Sequence, residues 1–378
     1  MSRFLKFSVL VIVACFSVLS VSAQQATKAC FTPQARSVAE QTARVWIEPD
    51  PGYDPVLGFN PANGPRRGAL QLGDDGMALP LKCMANKDDT PGSGTTPKFH
   101  CSVAGVTEAD GDLIRYKIKP HFKGQSRDKR NGEIQGEFLS SRFSKALGFF
   151  ADDEWVADVT CPDCESALTT KFQGAPWNPF QPAAGIELNI GNGIDVGCDD
   201  KDTAALNRSL EKLIEAGTSF SQIDAFKIWL AFIDHGDTKT DNHKYSCLKT
   251  IKGADGTLGC EAGQAVYYVS DMGSTFGHST ASESKARLER WRKKDPLKLK
   301  GNRCETTAEG VGDPSVSETG RLLLATQLQR LLDAEKANGT ITQVFRASRN
   351  AERDQPAEAW TAEFIRKANL IINARCSN

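Results

Sequence analysis

A polar segment near the middle of the chain, HGDTKTDN at residues 235–242, carries residue types that suit phosphoryl-transfer chemistry. Asp237 can accept the proton of a substrate hydroxyl, and the cation of Lys239 lies two residues further on. Asn242 offers an amide oxygen, and Asp271, in the tripeptide DMG after the strand-like run AVYYVS, offers a carboxylate. Both are hard oxygen ligands that suit Mg²⁺. The alternative interpretation is a polar loop that caps a helix and turns into a hairpin.

The residues before this loop predict the helix that delivers it. The run AFKIWLAFI at 225–233 is strongly apolar, as a buried helix requires, and SQID at 221–224 has the pattern of a capping box at its start. Upstream, LNRSLEKLIEAG at 206–217 is amphipathic. Three further helical patterns follow the loop, at 318–339, 341–349 and 357–372.

Two lysines and a glutamate occur earlier in the chain. The segment LIRYKIKP at 113–120 alternates as a strand does, so Lys117 and Lys119 project from the same face. The segment after it, at 132–147, has helical periodicity and carries Glu137, with Glu133 one turn earlier. The alternatives are lysines on the wet side of a strand and glutamates that favour a helix N-terminus.

A glycine-containing loop lies between two strand-like segments that precede these lysines. Gly92, Gly94 and Thr95 belong to the stretch PGSGTTPKF. Glycine lets backbone N–H groups approach a phosphate closely, so this loop is a candidate for covering a nucleotide. An ordinary turn explains the same residues equally well.

These motifs together resemble those of atypical, kinase-like proteins. Protein kinases have an HRDLxxxN catalytic loop and a DFG metal-binding tripeptide, and the loop at His235 and the tripeptide at Asp271 have that spacing. The chain is similar to the phosphoinositide kinases, the HipA-type persistence-toxin kinases and the secretory-pathway kinases, and more narrowly to a group of exported bacterial proteins of unassigned function. The matching residues in this chain are Thr96–Phe99, Tyr116-Lys117, Glu137 with Arg142 and Ala146–Phe149, His235–Asn242 and Asp271–Gly277.

The resemblance implies a fold and a set of roles. It implies an α+β, bilobal kinase-like fold, with a small β-rich N-lobe containing one helix and a larger, mainly helical C-lobe. The predicted divisions are a signal peptide at 1–23, an irregular extension at 24–80 that is rich in Pro, Gly and Asp, the kinase-like N-lobe at 81–195 and the kinase-like C-lobe at 196–378. It also implies ATP with Mg²⁺ or Mn²⁺ at a core site of Asp237, Asn242 and Asp271. A kinase needs one strand lysine that pairs with the phosphates and with Glu137, and Lys117 is preferred over Lys119.

The implied reaction is transfer of a phosphoryl group from a nucleotide to an acceptor. The acceptor is the hydroxyl of a protein, a lipid or a small molecule, and the sequence does not discriminate among them. The alternative from another class is a catalytically inactive kinase-like module that binds a nucleotide or a partner. A third alternative is a thiol–disulfide protein that uses Cys161 and Cys164.

The N-terminus predicts export. Arg3 and Lys6 precede the apolar run FSVLVIVACFSVLS, and small residues up to Ala23 provide a cleavage site, so a signal peptide is predicted. An uncleaved anchor is the alternative, although the run is short for a membrane span. No later segment is apolar enough to cross a bilayer. The predicted location is secreted or periplasmic.

Cysteine usage agrees with export. Of the 11 cysteines, Cys15 lies in the predicted signal peptide, which leaves an even number for disulfides. Cys247 and Cys260 flank a turn between strand-like runs and are the easiest pair to predict. The CxxC motif formed by Cys161 and Cys164 predicts a structural disulfide, with a redox motif or half of a zinc site as alternatives.

The charge of the chain is nearly balanced. The formal net charge is −1 over 378 residues, so no global field indicates a nucleic-acid partner or an anionic membrane. One local segment, 285–303, is markedly basic. It could hold an acidic substrate or lipid phosphates, but a solvated basic helix is the preferred interpretation.

Overall fold

A computed structural model of the chain shows a mixed α+β fold. It describes residues 33–63, 70, 78–86, 98–107, 113–121, 131–167, 178–190, 206–239, 242–252, 258–278, 287–348 and 355–377. The predicted signal peptide, the loop with Gly92, Gly94 and Thr95, and both Cys30 and Cys198 lie outside these residues. The division into two lobes and the domain boundaries stay predictions.

The described residues form eight α-helices and thirteen strands. The helices are α1 Pro33–Thr42, α2 Glu133–Ala146, α3 Leu206–Glu215, α4 Phe220–Phe232, α5 Leu288–Arg292, α6 Glu318–Asn338, α7 Thr340–Ala347 and α8 Ala357–Asn373. The first six strands are β1 Leu81–Lys82, β2 Met84–Ala85, β3 Phe99–Thr107, β4 Leu113–Lys119, β5 Asp153–Thr160 and β6 Phe180–Leu188. The others are β7 His243–Cys247, β8 Thr250–Lys252, β9 Leu258–Cys260, β10 Ala265–Val269, β11 Leu297–Lys300, β12 Arg303–Thr306 and β13 Ser315–Val316.

The first six strands make one mixed sheet in the order β1-β5-β6-β4-β3-β2. Only the short β1 runs parallel to its neighbour, and the other pairs are antiparallel. Because side chains alternate along a strand, the sheet has two faces. One face is apolar and forms its own core. Its members include Phe99, Cys101, Ile114, Tyr116, Ile118, Trp155, Val159, Ala184, Ile186 and Leu188.

Helix α2 covers the other face of the sheet, and its bounds confirm the helix predicted at 132–147. It is buried on nearly all sides, unlike a surface helix. The helix stops at Gly148, whose φ of +88° favours glycine. A Cβ at Gly148 would also lie 2.1 Å from the carbonyl oxygen of Ile47, so the entry of the N-terminal segment requires a glycine there.

The second half of the chain is mainly helical and holds a large aromatic core. α4 packs against α6, and α6 packs against α8. The ring centroids of Phe143 on α2 and Phe364 on α8 lie 4.7 Å apart, and those of Phe232 and Phe364 lie 4.8 Å apart. α2 therefore joins the sheet to this core.

Three features of the secondary structure differ from the sequence predictions: the start of α4, the presence of α1 and the form of the basic segment. The predicted capping box at 221–224 is wrong, because α4 begins at Phe220 and its N-cap is Ser219, whose hydroxyl accepts a hydrogen bond from the backbone N–H of Gln222. Helix α1 was not predicted, since its surroundings are rich in proline and glycine. It contributes Ala39 to the main core. The basic segment forms the short helix α5 and a β11–β12 hairpin, rather than one helix.

Four disulfides join the described residues: Cys83–Cys101, Cys161–Cys164, Cys247–Cys260 and Cys304–Cys376. The predicted pairing of Cys247 with Cys260 is confirmed, and the CxxC motif forms a disulfide. These bonds are consistent with an exported protein. Among the helices of the described ranges, none has the length and apolar character needed to cross a membrane.

Candidate active site

The two halves of the predicted site come together where β7 begins and β10 ends. These strands pair antiparallel, with His243 opposite Val269. The backbone N–H of Ser270 donates to the carbonyl oxygen of Asn242 at 2.9 Å. Asn242 therefore immediately precedes one strand of the pair, and Asp271 lies two residues beyond the end of the other. The hairpin-like pairing places these two predicted metal ligands at one edge.

The loop that carries Asp237 is held by its own residues. Lys239 Nζ lies 2.7 Å from Asp237 Oδ2, and the Asn242 amide donates to the carbonyl oxygen of Asp237 at 3.1 Å. The backbone N–H of Gly236 donates to the carbonyl oxygen of Ser274 at 3.2 Å, which ties the loop to the residues after DMG. The His235 side chain is buried, and burial lowers its pKa although the charges of Asp237 and Asp271 oppose this.

A row of polar side chains crosses the sheet on the face that α2 covers. Glu154 on β5 opposes Glu187 on β6, which opposes Lys117 on β4, which opposes His100 on β3. Lys117 Nζ lies 2.5 Å from Glu187 Oε2. Residues in register share a face, so this polar row is a direct consequence of strand pairing.

Lys119 belongs to the adjacent row, and it contacts the helix. It opposes Gly185 on β6, and a Cβ at Gly185 would lie 3.1 Å from Ile134 of α2. The missing side chain lets α2 approach the sheet directly over this row. Lys119 Nζ accordingly contacts Glu137 Oε1 on α2, and lies 3.5 Å from Glu187 Oε2.

The sequence prefers Lys117 as the partner of Glu137, whereas the structure gives that contact to Lys119. Lys117 pairs with Glu187 instead. The reason is the position of α2, which lies over Gly185 and thus over the row of Lys119. Glu133 lies against Gly273, since a Cβ there would be 2.8 Å from Glu133. Which lysine contacts a phosphate stays a prediction.

Close backbone packing connects α2 to the DMG segment. A Cβ at Gly136 would lie 2.6 Å from the carbonyl oxygen of Gly273, so the helix and the segment touch through two glycines. The Thr275 hydroxyl donates to the carbonyl oxygen of Met272 at 2.7 Å, and Ser140 of α2 lies within 2.9 Å of the same hydroxyl. Glu137, next to Gly136, is thereby brought to the side of Asp271.

The result is a largely buried set of two lysines and four acids, in which Lys117 and Asp271 are half-buried. Its members are Lys117, Lys119, Glu137, Glu154, Glu187 and Asp271. Carboxylate oxygens of Glu137, Glu154 and Glu187 lie within 4.8 Å of one another. Burial alone would raise the pKa of the Asp271 carboxyl. The charges of Lys119 and Lys117 outweigh this effect and hold the pKa well below its ordinary value.

The pKa values of the remaining acids of this set are shifted in opposite directions. The same lysines lower the pKa of Glu187 against burial. Burial and the neighbouring carboxylates of Glu137 and Glu187 raise the pKa of Glu154 well above its ordinary value. Burial also raises the pKa of Glu137, where Lys119 opposes the effect and Asp271 adds to it. The lysines thus favour the ionised forms of Asp271 and Glu187, whereas burial favours the protonated forms of Glu154 and Glu137.

The predicted residues thus fall into three groups. Lys117, Lys119 and Glu137 lie in this buried set, which also contains Asp271. Asp237, Lys239 and Asn242 lie on the adjoining loop. Gly92, Gly94 and Thr95 lie outside the described residues.

Sequence reasoning missed Glu154 and Glu187. Glu187 is the single acid of β6, whereas β5 carries Asp153 and Asp158 besides Glu154, and both glutamates are buried. A lone acid in a buried strand is a usable signal, because an isolated carboxylate in a core needs a partner. Its partners were not predictable, since Lys117 and Glu187 are 70 residues apart in sequence.

The donor set at the edge of this cluster suits a divalent cation. Asp271 provides a carboxylate and Asn242 an amide, which are the ligand types that Mg²⁺ and Mn²⁺ take in proteins. Among the described residues, Glu137 Oε2 is buried without a hydrogen-bond partner, so the site has unused acceptor capacity. The residues present therefore fit a bound metal.

No protein-family model matches this chain, and no curated protein matches it. Its function is consequently argued from the geometry of this site.

Proposed function

We propose that this chain is an exported, kinase-like phosphotransferase that transfers a phosphoryl group from ATP to a hydroxyl group. The observation that carries the proposal is the meeting of Lys119, Glu137 and Asp271. These residues come from a strand, a helix and a loop, and Asp271 is far from the other two in sequence, yet all three belong to one cluster. A bilobal kinase-like arrangement, with the six-stranded sheet in the smaller lobe, is part of this proposal.

Each residue has a role that its surroundings support. Lys119 is held by Glu137 and Glu187, so its ammonium is fixed in position to bind phosphate oxygens. Asp237 accepts the proton of the attacking hydroxyl, and its contact with Lys239 keeps the carboxylate oriented. Lys239 also places a positive charge beside the reacting group.

Asn242 and Asp271 would hold the Mg²⁺ or Mn²⁺ that accompanies ATP. When bound, such an ion neutralises the charge of the phosphate groups. The low pKa of Asp271 keeps its carboxylate ionised and ready to bind a cation at every pH of physiological interest. The acceptor, whether protein, lipid or small molecule, is left open by these residues.

The test is phosphate transfer or ATP hydrolysis by the purified protein with Mg²⁺ or Mn²⁺. We expect Asp271→Ala and Asp237→Asn to lower the rate by about a thousandfold or more, as removal of a central group does. The exposed Asp333 on α6 offers a matched control, Asp333→Asn, which should keep full activity. Melting temperatures of all variants separate loss of function from loss of folding. Full activity in both site variants would show that the assigned roles are wrong.

A thermal shift separates catalysis from binding alone. ATP at a hundred times its Kd adds about 2.7 kcal/mol to the free energy of unfolding. Stabilisation by ATP and metal without turnover would assign the chain to the binding class. Absence of any stabilisation would count against both functions.

A further inference from the structure

A third lysine lies beside the two that the sequence singles out. Phe99, the first residue of β3, opposes Ile118, and His100 opposes Lys117. Lys98 precedes Phe99, so continuing the antiparallel register places it opposite Lys119. Lys98 is therefore on the charged face of the sheet, at the edge of the row that contains Lys119.

The charges around Lys98 agree with this position. Burial, followed by the charges of Lys117 and Lys119, lowers the pKa of Lys98 to about 8, whereas Glu187 and Asp271 act in the opposite direction. Lys98 therefore interacts electrostatically with both lysines of the set and with two of its acids, Glu187 and Asp271. Like charges at opposed positions of a sheet repel, so a cluster of three lysines is unfavourable unless anions lie near it.

The three lysines differ in burial, because Lys119 is buried and the other two are half-buried. Lys119 is buried and contacts both Glu137 and Glu187, and Lys117 contacts Glu187. Lys98 is half-buried at the start of its strand. A phosphate group arriving from solvent can reach Lys98 without breaking the contacts of the other two.

We infer that Lys98 is a phosphate-binding residue, which forms with Lys117 and Lys119 an anion site for a polyphosphate chain. The identification of that chain as part of a nucleotide rests on the proposed function. The chemistry of the site itself requires only adjacent phosphates, because ammonium groups bind phosphate as point charges. Inorganic triphosphate therefore serves as a probe that does not depend on the nucleotide.

The experiment compares binding of ATP, inorganic triphosphate and adenosine by isothermal titration calorimetry. The proteins are the full chain, Lys98→Ala, Lys98→Arg and Lys82→Ala, where Lys82 is an exposed lysine of β1 on the same sheet. For Lys98→Ala we expect a loss of about ten- to a hundredfold in affinity for ATP and for triphosphate, as for loss of a charged hydrogen bond. Lys98→Arg should recover most of this loss, and Lys82→Ala should bind as the unaltered chain does. Circular dichroism and melting temperature verify that each variant is folded.

The outcomes distinguish this inference from the proposed function. If ATP binds to the unaltered chain and Lys98→Ala binds both phosphate ligands equally well, the inference is wrong and the proposed function stands. If triphosphate binds through Lys98 but ATP does not bind, the anion site stands and the nucleotide function is wrong. If neither ligand binds to the unaltered chain, both are wrong. A loss for Lys98→Ala that also affects adenosine would overturn the inference, because adenosine carries no phosphate.

Discussion

The two faces of the six-stranded sheet have opposite chemistry although they are made by the same strands. Along β4, Tyr116 and Ile118 point into an apolar core, and Lys117 and Lys119 point toward α2. The apolar face requires only side chains of suitable volume, because dispersion forces and the hydrophobic effect are not directional. The charged face needs each group to meet a particular partner, because a buried charge without one is costly.

The two faces of this sheet should therefore differ in how substitutions affect them. The apolar core contains two disulfides, Cys83–Cys101 and Cys161–Cys164, whose four cysteines all belong to it. The charged face is closed by helix α2, which approaches the sheet closely over Gly185. Substitutions on the first face should change stability alone. Substitutions on the second should change stability and ligand binding together.

The largest expected effect is the removal of Lys119. Lys119→Met leaves Glu187 and Asp271 buried with less positive charge near them, and breaking a buried pair in this way costs about 3–5 kcal/mol. Urea unfolding at neutral pH measures the loss. The loss should shrink at acid pH, where the carboxyls protonate and no longer need the ammonium.

The exposed lysine of β1 gives the matched control for that measurement. Lys82→Met removes the same charge from the same sheet, and it should alter the free energy of unfolding by less than about 0.5 kcal/mol. An equal effect of both substitutions would contradict the contrast drawn between the faces.

The neighbouring residue on the opposite face gives the next largest effect. Ile118→Ala removes a fully buried side chain from the apolar core, and large-to-small substitutions of this kind cost about 2–5 kcal/mol. Unlike Lys119→Met, its cost should be independent of pH. Affinity for triphosphate should stay within about twofold of the unaltered chain, because no charged group is removed. A large change in affinity would mean that the two faces are coupled.

The strands and the helix at this sheet could be predicted from the sequence, but the side-chain contacts between them could not. The alternation of β4 and the periodicity of α2 are local, and both were identified from residues close together in the chain. The choice of Lys119 over Lys117 depends on where α2 crosses the sheet, which Gly185 decides from another strand. No local pattern encodes that approach. For the same reason, the sequence did not reveal that Glu154 and Glu187 stand in one row with Lys117.

The start of α4 shows that local sequence patterns do not fix the first residue of a helix. Ser219 and Ser221 both precede an apolar run, and either can cap a helix. The capping-box pattern favours Ser221, but the helix begins earlier, at Phe220, whose side chain is exposed. Apolar periodicity marks the buried part of a helix and not its first turn, which explains the displaced prediction.

A pH-dependent effect of intermediate size is expected for Glu154. Its pKa is raised by burial and by the carboxylates of Glu137 and Glu187, and Lys119 and Lys117 only partly oppose this. Above the ordinary pKa of a glutamate, the folded state therefore binds a proton that the unfolded state has lost. Stability falls as pH rises through this window, by at most about 1.4 kcal/mol per pH unit.

The substitution Glu154→Gln isolates this effect, because the amide keeps the shape of the protonated acid. Its free energy of unfolding should exceed that of the unaltered chain at pH 8, and the difference should disappear near pH 4. Urea unfolding across this range measures it, with Glu211→Gln on the exposed face of α3 as the control substitution. A difference that stays constant with pH would mean that Glu154 is ionised in the folded protein.

The smallest expected effect concerns the glycine that lets the helix reach the charged face. In Gly185→Ala, the new methyl group lies 3.1 Å from Ile134 Cγ1 and 3.3 Å from its Cγ2, so α2 must move by a few tenths of an ångström. Overpacking costs about 1–3 kcal/mol, and the reduced entropy of the unfolded chain returns about 0.4–1 kcal/mol. The net loss should be about 1 kcal/mol, with a matching decrease in triphosphate affinity because Lys119 and Glu137 separate. Ile134→Ala removes both γ carbons from this contact, so Gly185→Ala made on that background should lower neither stability nor affinity any further. A further loss of affinity on that background without a loss of stability would show that the position of α2 does not set the geometry of the lysines.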